Sequence, residues 1–138
     1  VTGMAFAETL LTEVGDLMRG RGELIHQTPD MAALMRRADL VISAGGLTKY
    51  EAAATGTPLV LLSQNEFEAG MSQAFARHGI ALNLGLGYDV REGEIATAVR
   101  DLLGDASRRR DMSARGHGLV DGRGAERIIE VILSEAGQ

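Results

Sequence analysis

Two consecutive glycines lie where an apolar segment gives way to an alanine-rich one. Residues 40–43 form a short apolar run typical of a buried strand, and residues 49–55 have the composition of a helix. A helix starting near Thr48 would present unpaired backbone amides to the preceding loop, and glycines would let an anion approach those amides closely. The spacing therefore predicts an anion site at Gly45 and Gly46, with phosphate as the natural ligand.

An acidic residue one helical turn further on extends this candidate site. Glu51 could accept hydrogen bonds from a vicinal diol such as a ribose, as acidic residues do in dinucleotide sites. The run Thr48-Lys49-Tyr50-Glu51 also matches a capping box, in which Thr48 and Glu51 would satisfy backbone amides at the helix start. Spacing alone favours capping over ligand binding. Lys49, the only lysine, is expected at a solvated helix position.

The remaining chemistry-bearing residues give weaker signals. His26, His78 and His117 are too scattered for an evident metal site, so we expect neither a metal nor another cofactor. His78 is expected to be a half-buried cap at a helix end, and His117 a loop residue. The absence of cysteine excludes disulfides and thiolate catalysis. The sequence names no catalytic residue.

Extended and helical patterns alternate along the chain. Apolar runs predict strands at residues 23–27, 40–43, 58–63 and 81–84, and apolar stripes at spacings of three and four predict helices at 5–19, 30–38, 49–55, 67–78, 92–103, 106–115 and 125–133. Continuous apolar strands between helices indicate a parallel sheet covered on both faces. The predicted fold class is α/β.

Two apolar stripes lead to specific expectations about packing. In the helix at 67–78 the stripe begins with Phe67, which is expected in the core. In the last helix the stripe could pack on an absent domain, although the simpler interpretation is that it belongs to this domain's own core. It consists of Ile128, Ile129, Ile132 and Leu133.

Bulk composition excludes several classes of protein. The 138 residues, 45% of them hydrophobic, suffice for one compact domain. Nucleic acid is not expected as a partner, because the net charge is −5 and the arginines are scattered. No apolar run approaches the ~20 residues of a membrane span. We therefore expect no transmembrane segment and a cytoplasmic location.

A longer pattern resembles a known family. It combines Ala-Asp before an apolar strand, Gly-Gly-x-Thr-x-x-Glu, Gly-x-Pro before the next strand, and Gly-x-Ala after the following helix. It covers about residues 28–85, and the run at 121–128 resembles the family's last helix. The pattern is similar to the carboxyl-terminal domain of GT-B glycosyltransferases, nearest the N-acetylglucosaminyltransferase of peptidoglycan synthesis and the nucleotide-sugar hydrolases of pseudaminic acid and spore-coat polysaccharide pathways.

This resemblance implies a Rossmann-like sheet that forms the carboxyl-terminal half of a GT-B fold, with residues 1–138 as a single nucleotide-sugar-binding domain. It also implies that the chain lacks the domain's first strand and the whole amino-terminal domain, because Val1-Thr2-Gly3 fits the end of the second strand. In relatives the catalytic group comes largely from the amino-terminal domain. We therefore expect the isolated chain to be inactive.

The resemblance also assigns residues to a site and reverses the preference for capping at Glu51. It implies that Glu51 binds the ribose, and that the turn at Thr28 and Met31 contacts the uracil through backbone atoms. The residues implied in nucleotide binding are Thr28, Gly45, Gly46, Leu47, Thr48 and Glu51. Those implied to face the sugar are Gln64, Asn65, Glu66 and Glu68.

The sugar-facing loop departs from the family pattern. Relatives often carry glutamine-rich sequence there, whereas this chain has Glu66-Phe67-Glu68. Glu68 has the alternative of being a solvated helix residue. The identity of the sugar therefore stays open.

Three functions follow. The first is the donor-binding part of a nucleotide-sugar hydrolase or glycosyltransferase, with a UDP-sugar as ligand. The second is a non-enzymatic subunit that binds the nucleotide-sugar and completes an active site with a separate partner protein. The third is a scaffold whose Gly45–Gly46 loop is packed shut, with Thr48 and Glu51 satisfying each other. Self-association is one way to protect the exposed sheet edge.

Overall fold

The computed structural model describes residues 1–2 and 7–136 of the chain. The chain divides into two compact units, Val1–Met31 and Ala32–Gln138.

The first unit contains helix α1 (Glu8–Met18) and one short pairing of extended segments. The predicted helix began at residue 5, but residues 3–6, Phe6 among them, lie outside the described residues. The strand predicted at 23–27 is reduced to a single parallel bridge between Thr2 and His26. Gln27 follows with a φ of 57°, which leaves the extended region and ends the pairing.

From residue 31 onward the chain alternates helices with strands. The elements are α2 (Met31–Arg37), β1 (Val41–Ser43), α3 (Thr48–Ala54), β2 (Leu59–Ser63), α4 (Glu66–Arg77), β3 (Ala81–Leu86), α5 (Glu92–Gly104), α6 (Ala106–Leu119) and α7 (Gly124–Ala136). The predicted strands and helices of this region are all present, most with ends within one or two residues of the prediction. The exceptions are α6 and α7, which run four and three residues further than predicted.

The three strands form a parallel sheet in the order β1-β2-β3. Strand β2 lies in the centre, and its residues Leu59, Val60 and Leu61 are fully buried. Because all three strands run the same way, the loops after them meet at one edge of the sheet. The α/β fold class and the parallel sheet are confirmed.

Helices cover both faces of this sheet. Val60 packs with Leu102 of α5 and Met112 of α6, together with Leu82 and Leu84 of β3. Side chains alternate along a strand, so Leu61 and Ser63 point to the opposite face. There Ser63 contacts Ser72 of α4. The sheet is therefore the middle of three layers, with α4 on one side and α5 and α6 on the other.

Helix α7 buries none of its residues among the described parts of the chain. Its five large apolar side chains are between 55% and 66% exposed: Ile128, Ile129, Val131, Ile132 and Leu133. The interpretation that this stripe belongs to the domain's own core is therefore wrong, because none of its side chains is buried. Across residues 1–2 and 7–136, no helix is long and apolar enough to cross a bilayer.

Candidate functional site

The loop between β1 and α3 presents a row of unpaired backbone amides. We call residues 44–47 the glycine loop. The amides of Gly45, Gly46, Leu47 and Thr48 donate to no acceptor in the described part of the chain, whereas those of the next residues bond back to carbonyls of the loop. Unpaired amides at a strand-to-helix turn are suited to binding an anion. The loop therefore has the free donors that an anion site needs, and anion binding at Gly45 and Gly46 stays a prediction.

Gly45 is required by close packing rather than by an unusual backbone angle. Neither Gly45 nor Gly46 has a positive φ. A Cβ at position 45 would stand 2.6 Å from Oγ of Ser72, 2.7 Å from Oγ of Ser63 and 2.9 Å from Cβ of Glu68. A Cβ at position 46 would find its nearest atom, Oε1 of Glu68, at 3.8 Å. The back of the loop is therefore packed against α4, and its front is open.

The capping box expected at Thr48 and Glu51 is absent. Leu47, not Thr48, occupies the N-cap position, and it has helical angles (φ −63°, ψ −29°) with no side-chain capping bond. Thr48 is already the first helical residue, so its hydroxyl is not placed to cap its own helix. Neither the Thr48 hydroxyl nor the Glu51 carboxylate has a hydrogen-bond partner among the described residues. The capping interpretation is wrong, and the scaffold's bond between Thr48 and Glu51 is not formed.

Lys49 is buried, with only 3% of its surface exposed, so the expected solvated position is wrong. Its ammonium donates to the carbonyl oxygen of Gly45. Its Nζ also lies 5.0 Å from the ring centre of Tyr50 and 5.7 Å from that of Phe75. Burial lowers the pKa of Lys49, and the negative charge of Glu68 partly opposes that shift. The side chain folds back beneath the glycine loop, where its ammonium bonds to the Gly45 carbonyl and lies near two aromatic rings.

The loop after β2 is organised by Asn65 and Glu68. Asn65 is the N-cap of α4, and its side-chain oxygen accepts a bond from the Glu68 amide at 2.9 Å. In return, Oε2 of Glu68 accepts from the Gln64 amide at 3.0 Å. Glu68 is half-buried, so the alternative of a solvated helix residue is wrong. Through Oε2, Glu68 is bonded to the loop after β2, and its Oε1 is the atom nearest to where a Cβ of Gly46 would stand.

Two known proteins are similar to this chain. The first is the spore coat polysaccharide biosynthesis protein SpsG of Bacillus subtilis, 37% identical over 110 residues, which are 80% of this chain and 32% of that protein. The second is the UDP-N-acetylglucosamine–N-acetylmuramyl-(pentapeptide) pyrophosphoryl-undecaprenol N-acetylglucosamine transferase of Halorhodospira halophila, 28% identical over 129 residues, which are 90% of this chain and 36% of the transferase. No family model matches.

The chain is a homologue of GT-B glycosyltransferase family members. The resemblance read from the Gly-Gly-x-Thr-x-x-Glu pattern is confirmed. The chain spans about a third of the length of each curated relative it matches.

The structure brings most of the predicted site residues of this chain together. The glycine loop, Thr48, Glu51 and the loop after β2 all lie at the same edge of the sheet. Thr28 belongs to the first compact unit, where its hydroxyl accepts from the Asp30 amide at 3.2 Å in the turn before α2. Its role in base binding stays a prediction.

The predicted packing of α4 is wrong at Phe67. This residue is 80% exposed, not part of the core. The buried face of α4 carries Ser72 and Phe75, with Glu68 one turn earlier. The buried face of α4 is therefore shifted by one position from the face predicted to begin at Phe67. Residue Glu66 begins α4 and is exposed.

Two of the histidines, His78 and His117, differ from expectation. His78 is the C-cap of α4, as expected, but it is exposed rather than half-buried. His117 lies in the last turn of α6 and not in a loop. Within the described ranges, no three His, Asp or Glu residues are grouped as metal ligands.

Sequence reasoning missed three buried contributors to the site: Lys49, Ser63 and Ser72. The serines form a fully buried pair with 3.1 Å between their hydroxyl oxygens. One signal was available, because Ser72 lies four residues after Glu68 and three before Phe75, which is helical spacing. The burial of Lys49 had no local signal, because it depends on Phe75 of α4 as well as on the nearby Gly45 and Tyr50.

Proposed function

We propose that this chain is the donor-binding part of a nucleotide-sugar hydrolase or glycosyltransferase of cell-surface polysaccharide biosynthesis, and that it binds a UDP-sugar. In this proposal the glycine loop holds the diphosphate, Glu51 holds the ribose, and the loop after β2 faces the sugar. The observation that carries it is the juxtaposition of four unpaired amides with an unpartnered carboxylate one helical turn away. The two relatives support it, since one acts in spore coat polysaccharide synthesis and the other transfers N-acetylglucosamine from its UDP derivative.

Energetics require both parts of the site. Micromolar affinity corresponds to about 8 kcal/mol, and a helix terminus contributes at most ~2 kcal/mol to holding an anion. Helix α3 has only seven residues, so its dipole supplies a small part of the total. The amides must therefore act as individual hydrogen-bond donors, and Glu51 must add bonds to the ribose hydroxyls. Hydrogen bonds to charged groups contribute about 1.5–3 kcal/mol each.

The same contacts would assist bond cleavage. When the bond between the sugar and the diphosphate breaks, negative charge builds on the leaving nucleotide, and amides already aimed at that position stabilise it. The group that activates water or an acceptor comes, in this proposal, from a part of the protein beyond these 138 residues. This division of labour agrees with the chain matching about a third of each relative's length.

Calorimetry with UDP and with 2′,3′-dideoxy-UDP tests the role of Glu51. Glu51→Gln should weaken UDP binding by about tenfold or more, which corresponds to one lost charge-assisted bond. The dideoxy analogue should bind the unmodified protein with a similar deficit, and Glu51→Gln should then add little. The same substitution at Glu130, an exposed residue of α7, is the matched control and should leave UDP affinity unchanged.

Two results would contradict the proposal. If the unmodified protein does not bind UDP, the glycine loop is not a diphosphate site. If Glu51→Gln weakens UDP and the dideoxy analogue equally, Glu51 does not recognise the ribose hydroxyls.

A further inference from the structure

Lys49 is a buried cation at the glycine loop, and the proposed function so far gives it no role. A buried ammonium is costly unless it is paired, because its hydration is lost. Here the ammonium donates to the Gly45 carbonyl and lies near two aromatic rings. We therefore expect the buried ammonium to contribute either to the stability of the loop or to ligand binding.

The geometry of the peptide bond connects Lys49 to the amides of the loop. No described peptide bond is cis, so the carbonyl of Gly45 and the amide of Gly46 point in opposite directions across one planar unit. Lys49 bonds to that carbonyl from beneath the loop. The Gly46 N–H is therefore directed away from Lys49, toward the open side, where it has no partner in the described chain.

The charge of Lys49 has a second consequence at the same place. Glu68 carries a negative charge beside the loop, since its Oε1 lies 3.8 Å from where a Gly46 Cβ would stand. That carboxylate alone would repel a diphosphate. The positive charge of Lys49 and the negative charge of Glu68 attract each other, so Lys49 partly offsets this repulsion from the buried side.

We propose that Lys49 is a positioning residue for diphosphate binding: by holding the Gly45 carbonyl inward, it fixes the Gly46 amide toward the ligand and counters the charge of Glu68. This inference rests on the proposed function, because it concerns the same site. Lys49 acts through the loop and does not itself contact the ligand.

Lys49→Met separates this role from a purely structural one. Methionine keeps the apolar stem between Tyr50 and Phe75 but has no ammonium. Lys49→Met leaves no buried charge, but the Gly45 carbonyl loses its donor, so the urea midpoint should fall slightly while unfolding stays cooperative. UDP affinity should fall by about tenfold. Uridine, which has no phosphate, should lose less than about twofold when its binding is followed by ligand-detected NMR.

Arg109→Met is the matched control. Arg109 also donates to backbone carbonyls, those of Leu102 and Leu103, but at the junction of α5 and α6. It should change UDP affinity by less than about twofold, the scatter common for substitutions away from a site. If Lys49→Met does not fold, Lys49→Gln, which keeps a donor without the charge, is measured in the same way and should lose UDP affinity selectively.

The outcomes separate the two proposals. If the lysine variant binds UDP as tightly as the unmodified protein, the role of Lys49 is refuted and the UDP site stands. Equal losses for UDP and uridine would also refute it, since they indicate general disruption. If the unmodified protein fails to bind UDP, both proposals fall together.

Discussion

Gly45→Ala should destabilise the protein strongly, whereas Gly46→Ala should not. The added methyl group at position 45 would stand within 3.0 Å of three atoms, and none of them is the free end of a flexible side chain. Two are the hydroxyl oxygens of Ser63 and Ser72, which are fully buried and bonded to each other. The substitution therefore forces either the loop or this serine pair to move.

The magnitude follows from two contributions. Overpacking a close contact costs about 1–3 kcal/mol. Separating the buried serines removes a hydrogen bond with a net value of about 1 kcal/mol. Together they predict a loss of about 2–4 kcal/mol, a large fraction of the 5–15 kcal/mol typical of a domain. Gly46→Ala meets its nearest neighbour at 3.8 Å and should stay within about 0.5 kcal/mol of the unmodified protein.

Urea unfolding followed by far-ultraviolet circular dichroism measures both variants, and it does not depend on tryptophan, which the chain lacks. The reasoning is refuted if the two alanine variants have equal midpoints, or if Gly46→Ala is the less stable of the two. Either result would mean that the loop does not rest against Ser63 and Ser72 in solution.

Two further predictions use pairs of residues within single segments. Phe75→Ala should cost about 3–5 kcal/mol of unfolding free energy, because Phe75 is 4% exposed and packs edge-on against Tyr50 at 5.0 Å. Phe67→Ala should cost under about 1 kcal/mol, because Phe67 is exposed. Equal losses in urea unfolding would contradict the orientation of α4. Asp121, whose pKa is lowered to about 2, chiefly by hydrogen bonds from Arg127, should titrate nearer 3.8 by NMR in Arg127→Ala. Because the pKa is lower in the folded protein, this contact stabilises above the ordinary pKa, and its effect is lost as the pH falls toward 2.

The strands and helices from residue 31 onward were predictable because their signal is local. Continuous apolar runs located β1, β2 and β3, and glycines located several of the ends. Gly116 shows where such a local rule fails. The helix predicted at 106–115 ends just before it, yet Gly116 lies inside α6, where a Cβ would stand 3.0 Å from the carbonyl oxygen of Ala53 in α3. The glycine serves helix contact instead of termination.

The candidate site was predictable only in part. The glycine loop and Glu51 follow from a contiguous pattern, and their lack of internal partners agrees with it. Lys49 and Phe67 were misplaced because burial at these positions depends on which face of a helix meets a neighbour. Sequence spacing alone does not show which face of a helix is buried.

The exposed apolar face of α7 bears on what unfolding experiments report. Hydrophobic stabilisation and the heat-capacity increase on unfolding both scale with apolar surface that passes from a dry to a wet environment. The side chains of α7 are largely wet already, and a thirteen-residue helix is only marginally stable on its own. A cooperative transition in this chain therefore reports chiefly on the sheet and its covering helices, and the melting of α7 adds little to the heat-capacity increase.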